Sequence, residues 1–334
     1  RAIDIRNTAE VREAIRETDI MAVSVGKTAL QNIAPIVARG LIDRAERYPD
    51  KVLDIILAEN MRSTDLYFRD LLRKNLPSSY PIENLVGLVE TSIGKMVPIM
   101  KAEDLKEDPL LVFAEPYNTL ILDRKGFLGE IPHIKEFALK DNIKAWVDRK
   151  AFIHNLGHAA AAYYGHYMLP DSLYMHEVLA DKRVIKYTRQ VMEEAGELLR
   201  SIYPDEFTNE DIIDHINDLL CRFQNRNLGD TIFRVGSDLQ RKLGPDDRFM
   251  ATIRLAKEKK VPYNMILDAM AMGFYFRAKD ENGHMFPGDV DFHKRVSDNR
   301  DAVFEQICGL HPSSDFLLIS QLKKQIDKHS HHNG

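Results

Sequence analysis

The strongest constraint on this chain is a change of rhythm near residue 140. Before it, short apolar runs alternate with segments of helical spacing. DIMAVSVG (19–26) has the pattern of a buried strand closed by a glycine. KTALQNIAPIVARGLIDRA follows with helical spacing, and its Pro35 is tolerable only near a helix start or at a kink. KVLDIILAEN (51–60) is a second buried strand, followed by a helix through about Lys74, and LVGLVET (85–91) and LLVFAEP (110–116) read as further strands. Strands alternating with helices imply an α/β unit with a mainly parallel sheet. Ligands on such sheets bind at the carboxyl ends of the strands. Here those ends are Ser24-Val25-Gly26 and Ala58-Glu59-Asn60, which makes Val25 and Gly26 candidate cofactor contacts.

After about Asn142 the texture is almost entirely helical. AWVDRKAFIHNLGHAAAAYYGHYM is one long helical pattern, and ADKRVIKYTRQVMEEAGELLRSIY is strongly amphipathic. TNEDIIDHINDLLCRFQN opens with Thr208 as an N-cap and acids in its first turn. The reading is therefore α/β plus all-α: residues 1–140, a helical domain over 141–325, and a polar tail over 326–334. A length of 334 residues with 44% hydrophobic content supports two such domains with substantial cores. A net charge of −5 is unlike a basic nucleic-acid-binding chain. No apolar run approaches the roughly 20 residues of a membrane span. Cys221 and Cys308 form no pattern and read as reduced thiols of a cytoplasmic protein. The chain begins with Arg1 rather than Met, which leaves a removed targeting signal open. The histidines of the closing KHSHHNG read as solvated.

One stretch, KAFIHNLGH from Lys150, places an amine and two imidazoles where the flanking pattern indicates burial. At about 100° per residue, His154 lies about 40°, His158 about 80° and Asn155 about 140° from Lys150, all within one half of a helix. Polar groups on a helix that must pack are costly unless something uses them. Three readings follow. Lys150 snorkels to solvent and His158 is a satisfied core histidine. Alternatively, His154 and His158 have the i, i+4 spacing of a zinc helix, although Asn155 stands where the zinc-protease motif has glutamate. Or the segment is catalytic. The GKT at 26–28 is not a phosphate-cradling loop, because position 21 is Met where that motif needs glycine.

Lys-x4-Asn-x2-His in a helical domain behind an α/β domain resembles the polyol-specific long-chain dehydrogenases, the mannitol dehydrogenase family. ILAENM, VDRKAFIHNLGHAAAAYYG and CRFQNRNLGDTIFRVGSDLQRKLGPDDR are three separated matches in the family's order, and the last resembles its mannitol-1-phosphate branch. The resemblance implies metal-independent hydride transfer with NAD, NADP remaining open. It implies Lys150 as general base, Asn155 and Asn60 as donors to the developing alkoxide, and His158 as a substrate-positioning group. His154 is structural in this reading. Arg234 and Lys242 would contact the substrate. Free-polyol relatives carry an acid at the position of Pro116 and a histidine at that of Ser237. Their absence favours a phosphorylated hexitol, mannitol 1-phosphate, exchanged with the ketose phosphate fructose 6-phosphate. The partner is thus a small sugar alcohol or sugar phosphate, with no nucleic acid, no membrane and no metal.

The family opens with a Gly-rich turn that holds the cofactor pyrophosphate at a helix N-terminus. No G-x-G-x-x-G occurs in the 334 residues, and the acid that selects NAD over NADP is missing too. The expectation is an incomplete Rossmann-like parallel-sheet domain, entered after its first strands, then a mainly helical C-terminal domain. A free-polyol or hexuronate (tagaturonate or fructuronate) reductase is the rival enzyme. An inactive fragment or a binding module without the cofactor loop is the rival of another class.

Overall fold

The computed structural model describes residues 2–98, 100 and 102–330. The chain divides into two compact units, one of residues 1–95 and 116–147, the other of 96–115 and 148–334.

The first unit is built on a five-stranded sheet in the order β1 (Ile20–Val23), β2 (Leu53–Leu57), β3 (Val86–Ile93), β4 (Leu120–Asp123) and β5 (Phe137–Lys140). β1, β2 and β3 are parallel, β4 runs antiparallel to β3, and β5 is parallel to β4. Helix α1 (Thr8–Glu17) precedes β1, α2 (Lys27–Arg47) joins β1 to β2, and α3 (Thr64–Arg73) lies between β2 and β3. All five residues of β2 are buried, as a central parallel strand covered on both faces requires. Ile15, Leu30, Leu41, Leu57, Phe68 and Leu88 belong to the core that α1, α2 and α3 form with the sheet. A Cβ on Gly40 would lie 2.7 Å from Ile15 Cγ2, so this glycine permits the close approach of α1 and α2. Arg44 is buried yet saturated: it donates to the carbonyls of Arg16, Lys51 and Val52, which ties the start of β2 to α1.

Pro35 is the ninth residue of the 21-residue α2, inside the helix and past its first turn. One expectation changes here. Residues 110–116 form no strand: Leu110 and Val112 are exposed, and Glu115, not the apolar run, is buried. An apolar run becomes a strand only where an edge is free to pair with it, and 96–115 belong to the helical unit. Strands β4 and β5, at four residues each, take the place expected for that run in the sheet.

In the second unit the helix Leu156–Met168 is central. Ala159, Ala160, Ala161 and Ala162 are fully buried, and short side chains let neighbouring helices approach closely. Gly157 is packed on Met192 and Gly165 on Val178, with an added Cβ at 2.6 and 2.7 Å respectively. Thr208 caps the helix Asn209–Phe223 through a reciprocal bond set with Asp211. The last helix, Phe316–His329, runs through the start of the expected polar tail, and its Ile326 is buried. Residues 331–334, with two of the tail histidines, lie outside the described residues, as does Arg1. Both cysteines are free thiols, Cys221 exposed and Cys308 buried. Among the described residues, no helix is long and apolar enough to cross a membrane.

Candidate active site

The Lys150 segment is helical, but it is not one regular α-helix. The α-helix Ile143–Arg149 passes into a π turn over Lys150–Asn155, and the α-helix resumes at Leu156. The N–H of Leu156 reaches back to the carbonyl of Ala151, five residues earlier. In a turn closed by i→i+5 bonds, residues five apart take the aligned positions that i and i+4 hold in an α-helix. Lys150 and Asn155 are five apart, so the widened turn brings onto one line two side chains that an α-helix would hold about 140° apart.

A widened turn disturbs the backbone ladder, and here a side chain intervenes. Arg248, buried, donates from Nη1 to the carbonyl of Asn155 at 3.0 Å and from Nε to Asp247 at 2.8 Å. The same guanidinium acts on the amine of Lys150. Burial first, then the charge of Arg248, push the Lys150 amine down to about 8.

His158 follows Asn155 by three residues and is half-buried. Its ring stacks on Phe223 at 4.3 Å between centroids and 7° between planes. Burial, followed by Arg234, Lys242 and Arg248, pushes it down to about 3, so it is neutral at ordinary pH. His154, on the same turn, is buried beside Phe223 and held well below the usual imidazole range, mainly by burial. The two rings stand 6.3 Å apart edge to face. Among the described residues, no group of three or more His, Cys, Asp or Glu side chains is placed to hold a metal ion.

Arg234 and Lys242 differ in exposure. Arg234 lies in the short helix Ile232–Gly236, with a partly exposed guanidinium ion-paired to the buried Asp230. Lys242 is almost wholly buried. Its ammonium donates to the carbonyl of Val235 at 2.6 Å and to that of Ser237, and burial pushes it down to about 7. The expectation of a direct Lys242 contact to substrate thus meets an ammonium already engaged in pinning the 235–237 backbone. Ser237 is buried and its hydroxyl makes no hydrogen bond among the described residues. Next to Pro116, the acid Glu115 is buried and paired with Arg222 at 2.8 and 2.5 Å, its charge already neutralised.

In the sheet unit, Gly26 ends the β1 loop with φ of +83° and open space where a Cβ would stand, and Val25 beside it is exposed. The backbone N–H groups of Val25 and Gly26 donate to the carboxylate of Glu59 at 2.7 and 3.0 Å. Glu59 therefore ties the end of β1 to the end of β2, and Asn60 beside it is exposed. Val25 is exposed and Gly26 has open space above its Cα, so this loop end is open to solvent. Their amides are already committed to Glu59, so they do not make a pyrophosphate cradle.

Spacing singled out Lys150, Asn155 and His158 and the family resemblance added Arg234 and Lys242, all in the helical unit; a strand end supplied Val25 and Gly26 and the resemblance Asn60, all in the sheet unit. Neither brought out Arg248, Asp230 or Glu59 as a site residue. Arg248 and Asp230 lie within the segment CRFQNRNLGDTIFRVGSDLQRKLGPDDR, and Glu59 within ILAENM, but only tertiary contacts show what they touch.

Two family models match the chain: the mannitol dehydrogenase Rossmann domain over residues 2–136 and the mannitol dehydrogenase C-terminal domain over 142–308. The mannitol-1-phosphate 5-dehydrogenase of Buchnera aphidicola subsp. Acyrthosiphon pisum (strain APS) is 29% identical over 277 residues, covering 82% of this chain and 70% of its own. Among solved structures, a ternary complex of Pseudomonas fluorescens mannitol 2-dehydrogenase with NAD and D-mannitol matches with a TM-score of 0.72 at 17% identity, covering 97% of this chain and 74% of that one. A substrate-free D-sorbitol dehydrogenase matches with the same TM-score at 16% identity, over 96% of this chain and 74% of that one. At those identities the structures speak for the fold. The two family models, end to end along the described sheet and helices, place the chain in the mannitol dehydrogenase family of NAD-dependent polyol dehydrogenases.

Proposed function

We propose that this enzyme interconverts mannitol 1-phosphate and fructose 6-phosphate, with Lys150 as the proton-transfer group. The observation that carries the reading is the Lys150 amine, pushed to about 8 by burial and Arg248 and aligned with Asn155 by the π turn. A free lysine is almost wholly protonated at neutral pH and cannot accept a proton. The lowered value gives a useful fraction of each form, so one residue serves as base for alcohol oxidation and as acid for ketone reduction. When bound, the nicotinamide ring supplies the acceptor or donor of hydride at the substrate carbon. Val25 and Gly26 would line its ring end.

The chain's own residues then divide the remaining tasks. The Asn155 amide donates to the alkoxide oxygen as charge develops there; one such donor is typically worth about 2.7–4 kcal/mol. Asn60 enters by resemblance alone, as a second donor. Neutral His158, fixed in plane by Phe223, orients a substrate hydroxyl. Arg234, partly exposed, is assigned the phosphate, and Lys242 the support of the backbone beside it. The similarity to a mannitol-1-phosphate 5-dehydrogenase and the neutralised Glu115 both favour a phosphorylated substrate over a free polyol.

The test compares kcat/KM for mannitol 1-phosphate, free mannitol and the reduction of tagaturonate and fructuronate, in the native protein and in Arg234→Ala. The expected result is a strong preference for the phosphorylated pair. Arg234→Ala should lower kcat/KM for mannitol 1-phosphate by about 10- to 100-fold, as loss of a charge-assisted contact implies, and leave free mannitol little changed. Equal losses on both substrates, or preference for a hexuronate, would contradict the assignment.

A further inference from the structure

Asp230 is a buried acid that contacts two of the candidate site residues, His158 and Arg234, and that the reaction above leaves without a task. Its residue is 5% exposed, and its backbone is fixed from both sides. The Asp230 carbonyl accepts from Met175 N at 2.9 Å, and Ile232 N donates to the carbonyl of Leu173 at 2.9 Å, around an isolated bridge between Tyr174 and Thr231. Thr231 then caps the helix that carries Arg234. The carboxylate therefore stands on a rigid base, at a fixed place relative to both Arg234 and the helix Leu156–Met168.

Its two oxygens face two different groups of the site. Oδ1 is ion-paired with Nη2 of Arg234, although the contact lacks hydrogen-bond geometry. Oδ2 lies 3.6 Å from Nε2 of His158. Oδ2 and Nε2 are each buried and each without a hydrogen bond among the described residues. A buried donor and a buried acceptor that face each other at this range satisfy both needs by a movement of less than about 1 Å, and catalytic hydrogen bonds are commonly long before substrate binds. Stacking on Phe223 fixes the plane of the imidazole but not which nitrogen carries the proton. A neutral imidazole has one N–H and one lone pair, and the neighbour of one nitrogen decides the character of the other.

Resting on the reading of His158 and Arg234 as substrate contacts, we infer that Asp230 is a positioning residue: its carboxylate holds His158 as the Nε2–H tautomer, leaving Nδ1 as the acceptor for a substrate hydroxyl, and holds the Arg234 guanidinium in place for the phosphate. One buried acid thus links the group that orients the polyol with the group that binds its charged end. No covalent step is assigned to it.

The experiment has two arms in the full chain. The first is the long-range proton–nitrogen NMR spectrum of the histidine rings, with His158 identified by its loss in His158→Ala. Expected is a protonated Nε2 and an unprotonated Nδ1 in the native protein, becoming a tautomer mixture in Asp230→Ala. An Nδ1–H tautomer in the native protein overturns the inference whatever the variants do. The second arm is a kinetic cycle. Asp230→Ala should lower kcat for mannitol 1-phosphate about 10- to 100-fold, and the same step in His158→Ala should cost less than about 3-fold. Asp230→Asn, which keeps the shape and an acceptor for His158, should recover most of kcat while KM for the phosphorylated substrate shifts through Arg234. Equal losses with and without His158, or no recovery in Asp230→Asn, overturns the positioning role. The arms separate the two readings: should His158→Ala itself leave kcat intact, the substrate assignment of His158 fails, while the spectrum still decides what Asp230 does to the ring.

Discussion

Replacing Lys150 by alanine removes the amine on which proton transfer is proposed to depend, and the structure sets the size of the effect. Burial and Arg248 bring the amine from 10.5 to about 8. At pH 7 such an amine is neutral in about one molecule in ten, against about one in three thousand for a free lysine, so the site enriches the competent base about 300-fold. A positioned general base contributes typically about 10²–10⁴ in rate. Lys150→Ala should therefore lower kcat for alcohol oxidation by about 10³, with cofactor affinity nearly unchanged. The sign with pH is fixed. Oxidation needs the neutral amine, so its rate rises as pH passes about 8, while ketone reduction needs the ammonium and falls through the same point. Initial rates followed by nicotinamide absorbance at saturating substrate, from about pH 6 to about pH 10, read both limbs. The inflection should vanish in Lys150→Ala. A loss below about 10-fold, or an unchanged inflection in the variant, refutes the reasoning.

Two further perturbations follow from the packing. Arg248→Gln removes the nearby cation but retains a donor for the Asn155 carbonyl, so the inflection in the oxidation profile should move to higher pH; an unmoved or lowered inflection contradicts the electrostatic role of Arg248. Gly196→Ala would place a Cβ 2.4 Å from Ile212 Cγ2, against a stiff β-branched side chain, and overpacking should outweigh the better helix propensity of alanine. A net destabilisation of about 1–2 kcal/mol in urea unfolding is expected, and equal or higher stability would show that the contact between Lys182–Ile202 and Asn209–Phe223 yields freely.

What the sequence disclosed follows from how each element earns its place. β2 and β3 were legible because LDIIL and VGLVETSI sit in a mainly parallel sheet, where burial writes itself as a run of apolar residues; β1 forms where expected, but at the sheet edge only Val23 of IMAV is buried, so its expected full burial does not hold. β4 and β5 carry four residues each, and LILD and FALK are too short for a periodic signal. LLVFAEP is as apolar as a strand, but tertiary pairing leaves Leu110 and Val112 in solvent. Of the candidate residues, Lys150, Asn155 and His158 stood out as residue types at a spacing, while Asn60, Arg234 and Lys242 entered only through the family resemblance. The π turn was not legible, because nothing in KAFIHN distinguishes it from an α-helix; the five-residue step from Lys150 to Asn155 gains its meaning only once the turn widens. Arg248 is 93 positions from Asn155, and Asp230 is far in sequence from His158, so neither partnership has a local signature. The burial of Lys242 likewise depends on carbonyls of Val235 and Ser237 that a linear pattern cannot orient.

The most direct test is the titration of the Lys150 amine itself. NMR of the protein labelled with carbon-13 at the lysine Cε positions, with the Lys150 resonance identified by its loss in Lys150→Arg, reads the ionisation without reference to turnover. A midpoint near 8, moving upward in Arg248→Gln, is the predicted result. A midpoint near the ordinary 10.5, unmoved by Arg248→Gln, would show an amine open to water and would remove the basis for Lys150 as the proton-transfer group.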